Sequence, residues 1–313
     1  MVFAWLRRRR QRRTLDAAAQ RLTDALRAEV WARAVDAGRE AVTAAEVLFG
    51  PEHPEVVAPR YALAAAHLGG GDLDLAAAES ERALALATAH PLGVVPPLPQ
   101  LYEQRLAIAE RNGDDEVVDR ILNTLIRAYD RMRAPEPDAL ASALHRRALH
   151  LAHTGRRAQA AGSFSQALTA LERAPKPSTL SRAEVLYNRA SLAPEETPAQ
   201  SRLADFADAL AASPPAALRA RIEHNRGTIL EEVLGDRPAA LAAYTAALSC
   251  WPEAAEARPT WVRLARLHHA EGRFERAIEH YEKARRLAAA AHAHEVVTRI
   301  ETWIGDAHAQ TYR

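Results

Sequence analysis

The chain is short of cysteine, lysine and aromatic residues and has no long apolar run, and each shortage excludes something. Its one cysteine, Cys250, excludes an intrachain disulfide and fits a reducing compartment. With no Cys or His near it in sequence, Cys250 has the setting of a plain small residue, not a nucleophile. Aromatics make up 5% of the 313 residues while apolar residues make up 48%, so the apolar content is mainly Ala and Leu, both strong helix formers. Val and Ile are scattered instead of alternating, which argues against strands. No apolar stretch approaches the roughly 18 residues needed to cross a bilayer. The opening residues also place apolar residues before the basic cluster, the reverse of a secretory signal. Lysine occurs only as Lys176 and Lys283; this Arg- and Ala-heavy usage fits a GC-rich bacterial genome of actinobacterial type.

Motifs for chemistry are missing too. HEVVT begins like a zinc motif but ends in Thr298, where the second histidine ligand belongs. His150 and His153 share a helix face, and His292, His294 and Glu295 are close in sequence, yet no cysteine pair joins either set. GGGDLD has no GK[ST] sequel and reads as a turn, not a phosphate loop. There is no GxSxG and no paired-carboxylate motif. We therefore expect no catalytic residue, no metal and no cofactor.

What the chain does have is a repeat. Gly71, Gly113 and Gly155 stand 42 residues apart; the same step backward reaches Glu29 and forward reaches Thr197, after which Gly235 and Gly272 continue at spacings of 38 and 37. Columns at fixed distances from these turns agree. Five residues after stand Ala34, Ala76, Val118, Ala160, Arg202, Ala240 and Ala277; twelve after stand Ala41, Ala83, Leu125, Ala167, Ala209, Ala247 and Ala284. Nine after, bulk grows from Gly38 and Ser80 through Leu122, Phe164 and Phe206 to Tyr244 and Tyr281. About seven before stand Leu22, Ala64, Leu106, Ala148, Ala190, Gly227 and Ala265. Small residues at fixed points on two helices let the pair cross closely, and the large column fills the gap to the next pair. Proline clusters (Pro96, Pro97 and Pro99; Pro135 and Pro137; Pro175 and Pro177; Pro214 and Pro215) separate the units, because proline lacks an amide donor and disfavours helix in the residue before it. In the last segment Val297, Ile300, Trp303 and Ile304 share one face, as a capping helix requires.

These columns resemble the tetratricopeptide repeat. The unit from Trp261 carries that family's Trp, Leu264, Ala265, Gly272, Ala277, Tyr281 and Ala284; the unit before it carries Ala240, Tyr244, Ala247 and Pro252. The 42-residue units resemble the longer kinesin-light-chain-type variant. Arg202 in a small column, and Thr197 and Glu29 at turns, depart from the pattern, and the unit around Gly113 is the least typical. The resemblance implies an all-α, right-handed α-solenoid of about seven hairpins over 14–290 (units near 14–50, 51–92, 93–134, 135–176, 177–215, 216–253 and 254–290). It would end in a capping helix and tail over 291–313 and be preceded by a basic tail over 1–13.

The family's geometry places the residues nine and ten before each turn on the inner face. On that basis Arg146, Asn188, Asn225 and Arg263 form a polar ladder, flanked by His145 and Tyr187. Asn donates and accepts at once and so grips a peptide bond of any sequence; Arg adds bidentate carboxylate recognition. The implied function is a non-catalytic scaffold or adaptor that binds an extended or helical segment of another protein in a concave groove. Two alternatives stand beside it: a regulator whose groove closes on a short peptide, and an enzyme using His145, His224 and His268.

The net charge of +1 hides an uneven distribution. The first 13 residues contribute +6 through Arg7, Arg8, Arg9, Arg10, Arg12 and Arg13, so the other 300 sum to −5. This basic start, with Val2, Phe3, Trp5 and Leu6 ahead of it, has the composition for contact with anionic lipid. With no folded nucleic-acid-binding motif, no nucleic-acid partner is expected. The expected location is the cytoplasm, with the inner membrane surface as a possible peripheral site.

Overall fold

A computed structural model describes residues 2–90, 94–130, 137–174, 181–251 and 254–311, with side chains described from residue 8 onward. Pro135, Pro175, Lys176, Pro177 and Pro252, named above, and the side chains of Val2, Phe3, Trp5, Leu6 and Arg7 lie outside the described residues. Every described element is helical, with no strand among the described residues. The chain divides into two compact units, one up to Pro135 and one from Glu136. The first holds α1 (Val2–Arg27), α2 (Trp31–Phe49), a short 3-10 turn, α3 (Val57–Gly70), α4 (Leu73–Ala89), α5 (Leu98–Asn112) and α6 (Asp115–Asp130). The second holds α7 (Pro137–His153), α8 (Arg157–Glu172), α9 (Arg182–Ser191), α10 (Ala199–Ala211), α11 (Ala216–Glu232) and α12 (Arg237–Cys250). After a second 3-10 turn (Ala255–Ala257) come α13 (Arg258–Ala270), α14 (Phe274–Ala290) and α15 (His294–Thr311). Consecutive helices pack as hairpins, three in the first unit and four in the second, and α15 packs on α14 as the cap.

The turns show why the hairpins close where they do. At Gly71 the chain takes φ +87, the Gly71 amide bonds to the Leu68 carbonyl at 3.3 Å, and the Asp72 amide reaches back to His67 at 2.9 Å. This left-handed closure satisfies the last carbonyls of α3, and glycine adopts it at no steric cost. Glu29 makes the same closure without glycine, at φ 53, with the Val30 amide on the Ala25 carbonyl at 3.0 Å. His292 repeats it between α14 and α15.

All four sequence columns are buried apart from one member. Ala34, Ala76, Ala160, Ala240 and Ala277 have no exposed surface, and Phe164, Phe206, Tyr244 and Tyr281 are the largest side chains fully or almost fully enclosed. One such hairpin cannot dry its own apolar side, so stacking supplies the burial, at about 25 cal/mol per Å². In the unit around Gly113, Leu106, Val118, Leu122 and Leu125 occupy the small and large columns with bulk, and α5 and α6 approach less closely than the other hairpin partners. The exception is Arg202. It stays half-buried and its Nε donates to the Ala190 carbonyl at 2.8 Å, so it satisfies the end of α9, a helix of only ten residues. In α15, Ile300, Ile304 and Ala307 are buried, and Trp303 lies against Tyr281 with ring centroids 5.7 Å apart.

The basic opening is not a separate segment. Residues 2–13 form the first half of α1, a continuous helix of 26 residues.

Candidate partner-binding cleft

The first helix of each hairpin carries the residues nine and ten before the turn, and these form a seam between neighbouring hairpins. In the first unit Gln104 on α5 donates its amide to the Tyr61 carbonyl on α3 at 2.8 Å. In the second, Asn188 on α9 donates to Nε2 of His145 on α7 at 3.0 Å. One hairpin later, Asn225 on α11 donates to Tyr187 Oη at 3.3 Å and to Ser191 Oγ at 2.9 Å, both of α9. Gln104 and Asn188 stand nine before their turns and Asn225 ten before its own, and each reaches back to the residue ten before the previous turn. Burial holds the His145 pKa below its ordinary value, partly offset by Glu184, so the imidazole is neutral and its Nε2 accepts.

Arg263 on α13 extends the seam by charge. Its Nη1 lies 2.5 Å from Glu232 Oε1 and 3.4 Å from Glu231 Oε2 at the end of α11. Glu231 also accepts from the Tyr244 hydroxyl at 2.7 Å. Arg146 is half-buried on α7 and is also engaged within the protein. The four ladder residues are therefore engaged with protein groups; they do not form a row of vacant donors.

Tyr187 and Asn225 also line a cleft of about 260 Å³ in the second unit; His145, Arg146, Asn188 and Arg263 do not. Its apolar lining comes from Ala220, Ala247, Leu248 and Ala257. The Trp251 ring is held by its Nε1 donating to the Ala216 carbonyl at 3.1 Å. Its polar lining includes His224, whose Nδ1 lies 2.8 Å from Thr260 Oγ1. Burial and the nearby Arg263 depress the His224 pKa, Glu231 partly opposing, so His224 enters as a neutral group. Two charges complete the lining. Arg221 places its guanidinium 4.7 Å from the centre of the Tyr187 ring, a cation–π contact. Neither Arg221 nor the exposed Glu256 has an ion-pair partner among the described residues. Such a cleft offers apolar surface for one large side chain together with a cation, an anion and an amide for polar groups beside it.

Arg221, Trp251 and Glu256 were not among the residues expected from sequence. Arg221 sits four residues before Asn225, hence on the same face of α11, and that spacing was the available signal. Trp251 and Glu256 flank the link between α12 and α13, where no repeat column runs.

The histidines do not form a catalytic arrangement. His145 bonds to Asn188 and His224 to Thr260, while Nδ1 of His268 is buried without a partner; none has a carboxylate at hydrogen-bond distance among the described residues. No group of three or more metal-ligating side chains converges among the described residues. No helix among them is long and apolar enough to cross a membrane.

Comparison with known proteins places this architecture. Residues 259–290, which span α13 and α14, match the tetratricopeptide repeat family. No curated protein matches the chain in sequence. Among solved structures, BtubC (BKLC) from P. vanneervenii is similar with a TM-score of 0.57 at 19% identity, over 70% of this chain and 92% of that one. A tetratricopeptide repeat protein from Parabacteroides merdae ATCC 43184 is similar with a TM-score of 0.55 at 15% identity, over 92% of this chain and 99% of that one. At these identities the likeness is one of fold. One repeat is thus matched by sequence to the tetratricopeptide repeat family, and the stack of helical hairpins has the fold of solved proteins built from that repeat.

Proposed function

We propose that the second unit is a non-catalytic binding module that holds a segment of a partner protein in the cleft between α9, α11 and α13. Tetratricopeptide-repeat proteins generally mediate protein–protein interaction. The observation that carries the reading here is the cleft lining, where an apolar surface is bordered by two charges, Arg221 and Glu256, that have no ion-pair partner in the described protein. Charges without an ion-pair partner beside apolar surface can meet a ligand with no salt bridge to break. In this reading Asn225 and Tyr187 shape the cleft directly, while Asn188 with His145, and Arg263 with Glu232, tie neighbouring helices together.

Photo-crosslinking tests this. A crosslinking residue in place of the exposed Glu256 should yield a discrete protein adduct in the native cell, while one in place of Leu75 in the first unit should not. Arg221→Glu should weaken binding of the same partner about tenfold, equivalent to about 1.4 kcal/mol, at an unchanged melting temperature. Absence of an adduct at Glu256, or an identical adduct at Leu75, would overturn the assignment.

A further inference from the structure

The polar groups around the cleft restrict what can occupy it. Arg221 and Glu256 are both exposed, and neither has an ion-pair partner among the described residues. Stacking on the Tyr187 ring at 4.7 Å holds the Arg221 guanidinium, while its N–H groups donate to no described residue. The two charges have opposite sign, and with His224 neutral the lining carries no net charge. Asn225 spends its amide hydrogens on Tyr187 Oη at 3.3 Å and Ser191 Oγ at 2.9 Å. Its Oδ1 is left as an acceptor for a ligand. His224 is the converse. The Thr260 hydroxyl has no acceptor among the described residues except Nδ1 of His224, at 2.8 Å, so the neutral ring carries its proton on Nε2 and can donate there. Three of the apolar lining residues are alanines (Ala220, Ala247 and Ala257), which leave the space between the charges open.

We propose that the occupant is an internal segment of another protein in which a large apolar residue is flanked by an acid and a base. The acid meets Arg221, the base meets Glu256, and the apolar side chain lies on the alanines beside Trp251. The proposal rests on the reading of this cleft as a partner-binding site and adds the chemistry of the partner. A wholly acidic segment would set a like charge against Glu256, and a wholly basic one would do so at Arg221. A nucleic acid, rich in phosphate, meets the same repulsion at Glu256. A terminal carboxylate would find one cation and no amide hydrogen from Asn225. An internal peptide unit suits the remaining groups, with its N–H toward Asn225 Oδ1 and its carbonyl toward His224 Nε2.

The test is selection by the full chain from a displayed library of random short peptides, followed by binding measurements on synthetic copies with capped ends. The parent should enrich peptides with an acid, a large apolar residue and a base in one order. Arg221→Glu and Glu256→Lys should each weaken such a peptide about tenfold. Both positions are exposed, so the melting temperature should not change. The double variant should bind the charge-reversed peptide as tightly as the parent binds the original. A double variant that fails to follow the reversed peptide overturns the proposal. So do peptides that lack the charge pair yet lose binding on Pro259→Arg, an exposed change in the cleft lining; they would leave the cleft a binding site of another specificity. Selection of no peptide, or only of peptides indifferent to Pro259→Arg, overturns both this proposal and the assignment of the cleft.

Discussion

A methyl group on Gly227 would stand 2.6 Å from Cε1 of Tyr244, closer than any real Cβ contact. Tyr244 has no exposed surface and its hydroxyl is held by Glu231 at 2.7 Å, so the ring has nowhere to retreat. Gly227→Ala should therefore destabilise the protein by about 1–3 kcal/mol. The interaction is testable by a double-mutant cycle in chemical denaturation: Tyr244→Leu should cost less in the Gly227→Ala background than in the parent. Additive effects would show that contact between the two residues is not the cause.

The two seam asparagines should separate stability from binding. Asn188→Ala leaves the Nε2 of His145, a residue only 6% exposed, without its donor, and should lower stability by about 1–2 kcal/mol. Asn225→Ala releases Ser191 and Tyr187; Tyr187, though only 8% exposed, lines the cleft, whose space admits a water in place of the lost amide. This variant should shift the melting temperature less and partner capture more. Paired melting and capture measurements on the two variants would show the contrast; a reversed order would move the binding surface away from Asn225.

Glu29, Ser213 and His292 each carry a side chain at a left-handed position of the kind glycine fills elsewhere. Glu29 and His292, both at φ 53 and both exposed, sit in a conformation that costs an L-residue about 1–2 kcal/mol. Glu29→Gly and His292→Gly should each stabilise the protein by up to about 1 kcal/mol after the added chain entropy of glycine, whereas Gly71→Ala, at φ +87, should destabilise it by a similar amount. Thermal melts of the three variants would check the opposite signs.

Acid should loosen the second unit. Burial, the neighbouring His268 and the cations Lys283 and Arg276 push the His280 pKa down to about 4, with Glu279 opposing. His145, His224 and His268 are also depressed, each chiefly by burial. A histidine whose folded pKa lies below its unfolded value of about 6.5 binds more protons when unfolded, so its stabilising contribution is complete above pH 6.5 and is lost as pH falls toward 4. The midpoint of denaturation should decline over that window. His280→Gln should flatten the decline; an unchanged slope would place the effect on carboxylates.

How much of this was legible in the residues depends on what each feature requires. The hairpin columns could be read directly, because Ala83, Phe164 or Tyr281 is buried by virtue of its distance from its own turn, and the turn repeats. The capping face of α15 was legible for the same reason. The seam was half legible: Asn188 and Asn225 were placed on the correct helices, but the seam makes them partners of His145 and Tyr187, not vacant donors. Arg202 looked like a defect in its column until the Ala190 carbonyl was found at its end.

The amino-acid order alone determined the helical class, the register of the hairpins and the concentration of positive charge in the first thirteen residues, because these follow from propensity, period and formal charge. Only the tertiary structure decided that the ladder is a seam and that Arg221, Trp251 and Glu256 meet at one cleft. Those outcomes rest on separations of a few ångströms between elements far apart in the chain. Hydrogen bonds and ion pairs weaken steeply over such distances, whereas burial of an apolar column tolerates them.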